Sequence, residues 1–409
     1  MMAAGLAMAT TCFGADLEWP ECRGPLGNGI ARASHVPVTW SATNNVAWKT
    51  AVPEGWSSPI VADKKIYLTG ATNVGDGISL RALCLDVRTG TIDWDVEAIR
   101  ASSDAARTKH SKNGLASPTP VVRDGKLYVH FGHMGTAALD LNGKVLWKQT
   151  SIKYQPVHGA GGSPALVDGL LIFNCDGAVD PFLVALDAKT GEIKWRTPRN
   201  TPAKSQFSFS TPTAIKMGTG ETQVISPASG FVGGYDAESG KELWRVGYGE
   251  GYSIIPRPVF AHGMLFVSSG YDHPVLYAIS FRKAREGKGD DAVVWSQAKG
   301  APNTPSMLVV GDELYVVSDV GIATCFDAKT GAAHWSERLG GGSSASPVFA
   351  DGKIYFLNEQ GVGFVVKAGK EFHLLAKNEL GERTLASPAI LDYTVLIRSA
   401  GHLWKIGVP

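Results

Sequence analysis

The chain has 409 residues and a formal net charge of +1, 39 basic side chains standing against 38 acidic ones. That balance, with no long basic run, excludes the electrostatic footprint of a nucleic-acid binder. With 48 Gly, 22 Pro and 44% hydrophobic residues but no sustained helical period, the composition points to many short strands and turns, an all-β chain.

Residues 1–15, MMAAGLAMATTCFGA, carry no charge and are mostly small or apolar. The segment is too short to span a bilayer and reads as the apolar part and cleavage region of a secretory signal whose basic start is missing. Thr11 ahead of Cys12 fits a lipoprotein signal poorly. A truncated signal places the protein in the periplasm or outside the cell. An N-terminal arm, 16–45, follows; its GPLGNG lacks the Lys and the preceding strand of a phosphate loop.

From residue 46 onward two elements alternate. The first is a small residue and Pro opening an apolar run: Pro59, Pro118, Pro164, Pro212, Pro258, Pro305, Pro347 and Pro388. Their steps run from 41 residues (Pro347 to Pro388) to 59 (Pro59 to Pro118), about the length of a four-stranded propeller blade. Pro at the first position of a strand removes no ladder bond. The second element is a hairpin of the type LVALDAKTGEIKW, in which Asp86, Asp140, Asp187, Asp236 and Asp327 each precede Trp94, Trp147, Trp195, Trp244 and Trp335 by seven or eight residues. Asp bonds the turn ahead of it, Gly takes positive φ, and a Trp repeated at one place is a wedge between neighbouring sheets.

The eight repeats predict an eight-bladed β-propeller over 46–409. The last repeat lacks a fourth strand, and NNVAWKTAV with Trp48 supplies it, closing the ring and removing two free edges. Blade 5 carries FRKAREGKGDDAVVW, read as a solvated loop, and blade 7 has lost both Asp and Trp. Cys84 and Cys325 occupy equivalent places in different blades, too far apart to bridge, so both are expected as free buried thiols. Cys22 and Cys175 stay open. No C-x-x-C is present, which removes zinc ribbons, c-type haem and redox dithiols.

The A-x-D-x-x-T-G-x-x-x-W repeats resemble the pyrroloquinoline-quinone (PQQ) type of eight-bladed propeller, shared by quinoprotein alcohol dehydrogenases and BamB-type outer-membrane assembly proteins. WPECRGPLGNGIA, WKT and GWSSP are similar to a subgroup of PQQ-like proteins abundant in planctomycete-type bacteria. The resemblance runs from Trp19 to the end and is specific for fold, weak for function.

In such a ring the loops entering each innermost strand, and those joining second to third strands, share one face around the channel. They carry Arg107, Lys109, His110, Lys112, Asn113, Tyr154, His158, Arg199, Lys204, Tyr252, Arg257 and Arg383, joined by His130, His133, Asp176, Asp180, Asp272, His273, Asp319 and Glu359. One reading is a pocket with two acid/base imidazoles, His110 and His158, and a ligand set of Lys109, His110, Asn113, His158, Arg257, Asp319 and Arg383 for an anionic small molecule or carbohydrate. The other is ordinary polar loop surface. The resemblance further implies PQQ with calcium, for which Trp56 is a candidate quinone floor and Asp176, Asp319 and Asn113 candidate ligands; the vicinal disulfide of that family is missing, and no spacing marks a calcium loop. Three functions stand in order: a binding or scaffold propeller of the BamB type, a PQQ/calcium-dependent quinoprotein dehydrogenase, and a cofactor-free polysaccharide-active enzyme. A protein partner is compatible with the first, and the chain reads as a monomer.

Overall fold

The computed structural model describes residues 18–106 and 109–408; the signal-like segment, Cys12 and Arg107 lie outside them. Thirty-two strands form eight four-stranded antiparallel sheets arranged as the blades of a ring. Blade 1 spans Ile60–Ala62 to Ile92–Ser102, and blade 7 spans Val348–Ala350 to Leu374–Glu379. Blade 8 is completed by the strand Val46–Ala51, which pairs antiparallel with His402–Gly407, Lys49 opposite Trp404. Arg398, fully buried, ties this last blade to Ser57 and to the Pro53 carbonyl of blade 1. Burial without a carboxylate pushes its pKa down to about 9.

The hairpin signature works locally and across seams. Asp187 Oδ1 accepts the Lys189 and Thr190 N–H groups at 2.8 and 3.1 Å, and Gly191 turns at φ +77°. The Trp then docks on the following blade: the indole N–H groups of Trp48, Trp94, Trp147, Trp195 and Trp295 donate to the carbonyls of Val87, Leu141, Ala188, Ala237 and Ala328 at 3.0–3.1 Å. Each of those acceptors directly follows a turn Asp. The ring covers the turn glycine, so a Cβ at Gly191 would lie 2.5 Å from Trp147. Gly is therefore required twice, for its φ and for this approach.

Two blades, and with them three of the eight seams, depart from the rule: Trp244 donates to Gln223 Oε1 of its own blade, Trp335 to the Gly369 carbonyl, and blade 7 has no Trp. Blade 5 has no Asp-Thr-Gly turn, and its charged stretch forms a short helix, Phe281–Arg285, capped by Ser280. It is not wholly a solvated loop, because Phe281 and Ala284 are buried and Phe281 meets Trp244 edge-on at 6.0 Å. Blade 7 carries Lys367 and Ala376 in place of Asp and Trp. Trp40 of the arm packs in the same core cluster as Ala376, over Gly363, and fills the gap. Two of the expected strand-opening prolines are also displaced: the innermost strands begin at Val121 and Leu308, so Pro120 and Met307, not Pro118 and Pro305, precede them.

The arm is the main departure from a plain ring. Trp19 bridges Val61 of blade 1, the Pro20 carbonyl accepts Val122 N–H of blade 2, and Ile30 lies parallel to Phe349 of blade 7. The segment 19–31 thus crosses the channel along its innermost strands. Cys22, Cys84, Cys175 and Cys325 are all unpaired.

Candidate functional site

Above this segment lies a cup of about 720 Å³, within the roughly 300–1,000 Å³ usual for ligand pockets. Its wall begins with a ring of hydroxyls. The residue two before each innermost strand is Ser58, Thr119, Ser163, Thr211, Arg257, Ser306, Ser346 and Ser387. Six N–H groups along this circle donate to the hydroxyl of the next blade at 2.9–3.0 Å. Where seven blades place Ser or Thr, blade 5 places Arg, and the relay breaks after Thr211.

The Arg257 guanidinium reaches the arm, donating to the Cys22 carbonyl at 2.7 Å and to Glu21 at 3.2 Å. Gly27, at φ +63°, packs on it with no room for a Cβ. Beside it Arg23, 2% exposed, donates to the carbonyls of Met307 and Asn28 at 2.6 and 2.9 Å. Burial, with Arg257 adding repulsion, pushes the Arg23 pKa down to about 10. These arginines form a basic floor in which Glu21 is the carboxylate partner of Arg257, shared with Arg123.

One side of the wall is aromatic. Tyr271, Tyr252, Phe207, His158 and His110 follow one another with ring centroids 5.2–6.0 Å apart. His110 and His158 are thus brought together as the sequence suggested, edge to face at 5.3 Å. Burial, and then the neighbouring His110, hold the His158 pKa below the ordinary imidazole value. The loop carrying His110 folds over the mouth: His110 N–H and Asn113 Nδ2 donate to the His158 carbonyl, Lys112 pairs with Glu359 at 2.7 Å, and Arg383 donates to the Ser111 carbonyl.

His110, Asn113, His158, Arg257, Asp319 and Trp56 line the cup together; Lys109 and Arg383 do not. Lys109 pairs with Glu54, and Arg383 stands 5.7 Å from the Trp56 ring. Asp176 and Arg199 are not loop groups at the mouth but a fully buried bidentate pair, 2.9 and 3.1 Å, with Tyr235 and Ser226 as further partners of Arg199. Desolvation opposes the Arg199 charge, yet Asp176 and Tyr235 raise its pKa. His130 is buried against Phe173, and Asp272 accepts the Tyr252 hydroxyl. Sequence reasoning missed Phe207, Phe209, Tyr271, Asn303, Cys22 and Arg23. The alternating Phe of QFSFS and the Arg where other repeats have Ser-Pro or Thr-Pro were the available signals.

The residues do not fit a calcium-held quinone. Asp319 already accepts Asn303 and Thr304 N–H groups and the Thr304 hydroxyl, and Asn113 Oδ1 accepts Gly114 N–H and the Ser117 hydroxyl. Asp176 is committed to Arg199. Among the described residues no three His, Cys, Asp or Glu side chains cluster to hold a metal ion, whereas calcium takes roughly six to eight oxygens.

Ring, arm and cup define a class: an eight-bladed β-propeller whose central channel is crossed by an N-terminal arm and holds a cup above it. A family model described as outer membrane protein assembly factor BamB matches residues 33–160, 106–307 and 284–405, and the chain belongs to this PQQ-like repeat family. It is 24% identical to BamB of Shewanella oneidensis over 70% of this chain and 72% of that protein. Quinohemoprotein alcohol dehydrogenase ADH IIB of Pseudomonas putida is 28% identical over 39% of this chain, and the lanthanide-dependent methanol dehydrogenase of Methylorubrum extorquens 31% over 34%. Those matches span only 22% and 24% of the dehydrogenases' own length. In fold, a europium-containing methanol dehydrogenase superposes with TM-score 0.70 at 13% identity, covering 94% of this chain and 90% of that one. BamB from Moraxella catarrhalis gives 0.56 at 14%, covering 88% and 98%.

Proposed function

We propose that the protein is an extracytoplasmic binding or scaffold propeller whose cup holds an anionic small molecule or sugar. The observation that carries this reading is the floor: two buried guanidinium groups, Arg23 and Arg257, at the arm side of a chamber walled by hydroxyls and aromatic rings. Such a chamber offers a bound anion charge-assisted hydrogen bonds away from bulk water. Catalysis is not needed to explain it. The two imidazoles are adjacent, but the cup presents no pair of free carboxylates across a space, the arrangement glycoside hydrolysis uses. A periplasmic or secreted location and a monomeric state accompany the proposal; among the described residues no helix is long and apolar enough to cross a membrane. The family likeness to an assembly factor supports a protein partner at the outer surface in addition.

The quinoprotein reading ranks second, on the likeness to alcohol and methanol dehydrogenases. Titration calorimetry against phosphate, sulfated and uronic oligosaccharides, and PQQ with calcium separates the two. An anion should bind with one site per chain and more weakly as salt rises. If none binds, the cup reading fails. PQQ-dependent reduction of an artificial acceptor would establish the dehydrogenase instead.

A further inference from the structure

The loop entering blade 2 does more than line the cup. Its residues 109–113 find partners on four other blades. Lys109 meets Glu54, in the loop entering blade 1, at 3.1 Å. His110 N–H and Asn113 Nδ2 donate to the His158 carbonyl, in the loop entering blade 3, at 3.1 and 2.7 Å. On the far side Lys112 meets Glu359 of blade 7 at 2.7 Å, and Arg383, in the loop entering blade 8, donates to the Ser111 carbonyl at 3.2 Å. Blades 1 and 8 stand between blades 2 and 7 in the ring, so the Lys112–Glu359 pair cuts across the mouth instead of following its rim. The two ends of the segment are held differently. At the blade 2 end Asn113 Oδ1 accepts Gly114 N–H and the Ser117 hydroxyl, and the Trp56 and Ser57 N–H groups both donate to the carbonyl of the fully buried Ala116. Residues 109–112, by contrast, are all exposed, and Lys109 and Lys112 each keep 38% of their side chains in solvent. Solvated ion pairs hold weakly and are screened by salt, and a segment without buried apolar contacts opens before the core does.

We propose that residues 109–112 are a charge-latched strap over the cup. The strap is closed while Lys112 meets Glu359, and it swings away from blades 7 and 8, about the fixed Asn113–Ser117 turn, when that pair separates. Glu359 is the stationary half of the latch: its carboxylate accepts the Ser344 hydroxyl at 2.7 Å, and its N–H donates to the Gly342 carbonyl at 2.8 Å. The lysine is the half that moves. Opening takes His110 and Lys112 out of the wall of the cup and widens the mouth beside Trp56 and Leu385, which line the same space. The strap governs access whatever the ligand is, so it stands apart from the reading that the cup binds an anion.

Two measurements on the full chain test it, and neither needs a ligand. The first is the distance, by pulsed electron paramagnetic resonance, between nitroxides on Ser111→Cys and Val320→Cys, with Cys12 and Cys22 replaced by Ser. Val320 is an exposed loop tip on blade 6, and the remaining thiols are buried. A single short distance is expected at low salt, and a second, longer one in high salt, where the pair is screened. Glu359→Gln should show the longer distance already at low salt, with little further response to salt. Exchanging the charges, Lys112→Glu with Glu359→Lys, should restore the single short distance. The second measurement is alkylation of Cys22, which is half-buried and lines the cup, mapped by mass spectrometry in the chain with its native cysteines. Glu359→Gln should speed it roughly two- to fivefold, the scale of a surface ion pair. Should Glu359→Gln lower the melting temperature, Lys112→Met, which leaves blade 7 untouched, repeats both comparisons. One unchanging distance in every chain and at every salt overturns the strap. A distance that responds while Cys22 reacts at the parent rate overturns its role as a gate, because the thiol is then reached by another route.

Discussion

Trp94, Trp147, Trp195 and Trp295 meet the next blade through the same two contacts, an indole N–H to a carbonyl and a ring over a glycine. At the inner circle, equivalent positions hold seven hydroxyls and one guanidinium, and the loops above them share no pattern. Most outer seams solve the same packing problem at the same spacing, so the solution repeats in five of the eight. The inner positions face one shared space, where a single change alters a ligand contact without disturbing a seam. Repetition therefore marks stability here, and its interruption at Arg257 marks the proposed site.

The contrast can be broken from both sides. The largest effect is expected from truncation through Ala51, which removes the closing strand, Trp48 and the arm; it should abolish cooperative thermal unfolding because blade 8 is left with a bare edge. Asp176→Ala, in the layer between rim and cup, strands Arg199 without its counter-charge, and denaturant titration should show a loss of about 3–5 kcal/mol.

A pH effect comes next. Burial lowers the His130 pKa from its ordinary 6.5 to about 3, so the folded state keeps this imidazole neutral while the unfolded chain takes up a proton. Stability from this group is complete above pH 6.5 and falls as pH drops toward 3. By linkage the loss at pH 5 is on the order of 2 kcal/mol. Denaturant midpoints at pH 7 and 5 measure it, and His130→Gln should flatten that part of the slope; an unchanged slope would remove His130 as its source. The smallest difference separates two glycines. Gly191→Ala, with φ +77° and Trp147 at 2.5 Å, should cost about 1–3 kcal/mol more than Gly169→Ala, with φ +80° and open space around it. Equal losses would mean that backbone strain alone, not indole docking, requires the glycine.

The eight blades, the closing strand and the free thiols Cys84 and Cys325 were legible in advance, as was the placing of His110 and His158 on one face of the ring. The site was legible only in part. Asp176 and Arg199 lie in the expected loops yet turn inward to each other. Lys109 and Lys112 are cations in the expected place, but Glu54 and Glu359 neutralise them from other blades. The arm, passed over as a poor phosphate loop, builds the floor. Its glycines make room for Trp19 and for the Arg23 and Arg257 guanidiniums.

By itself the sequence determined the ring, because the chemistry of a blade is local. An Asp bonds N–H groups two and three residues on, a Gly turns four residues after it, and the same Trp wedge recurs in most blades, so the period carries the fold. Only the tertiary structure decided the cup. Arg23 meets Met307 across 284 residues of chain, and Arg257 meets Cys22 across 235. Contacts of that separation leave no period to read. Which charges are neutralised and which remain for a ligand depends on where a ring of blades and its crossing arm bring them together.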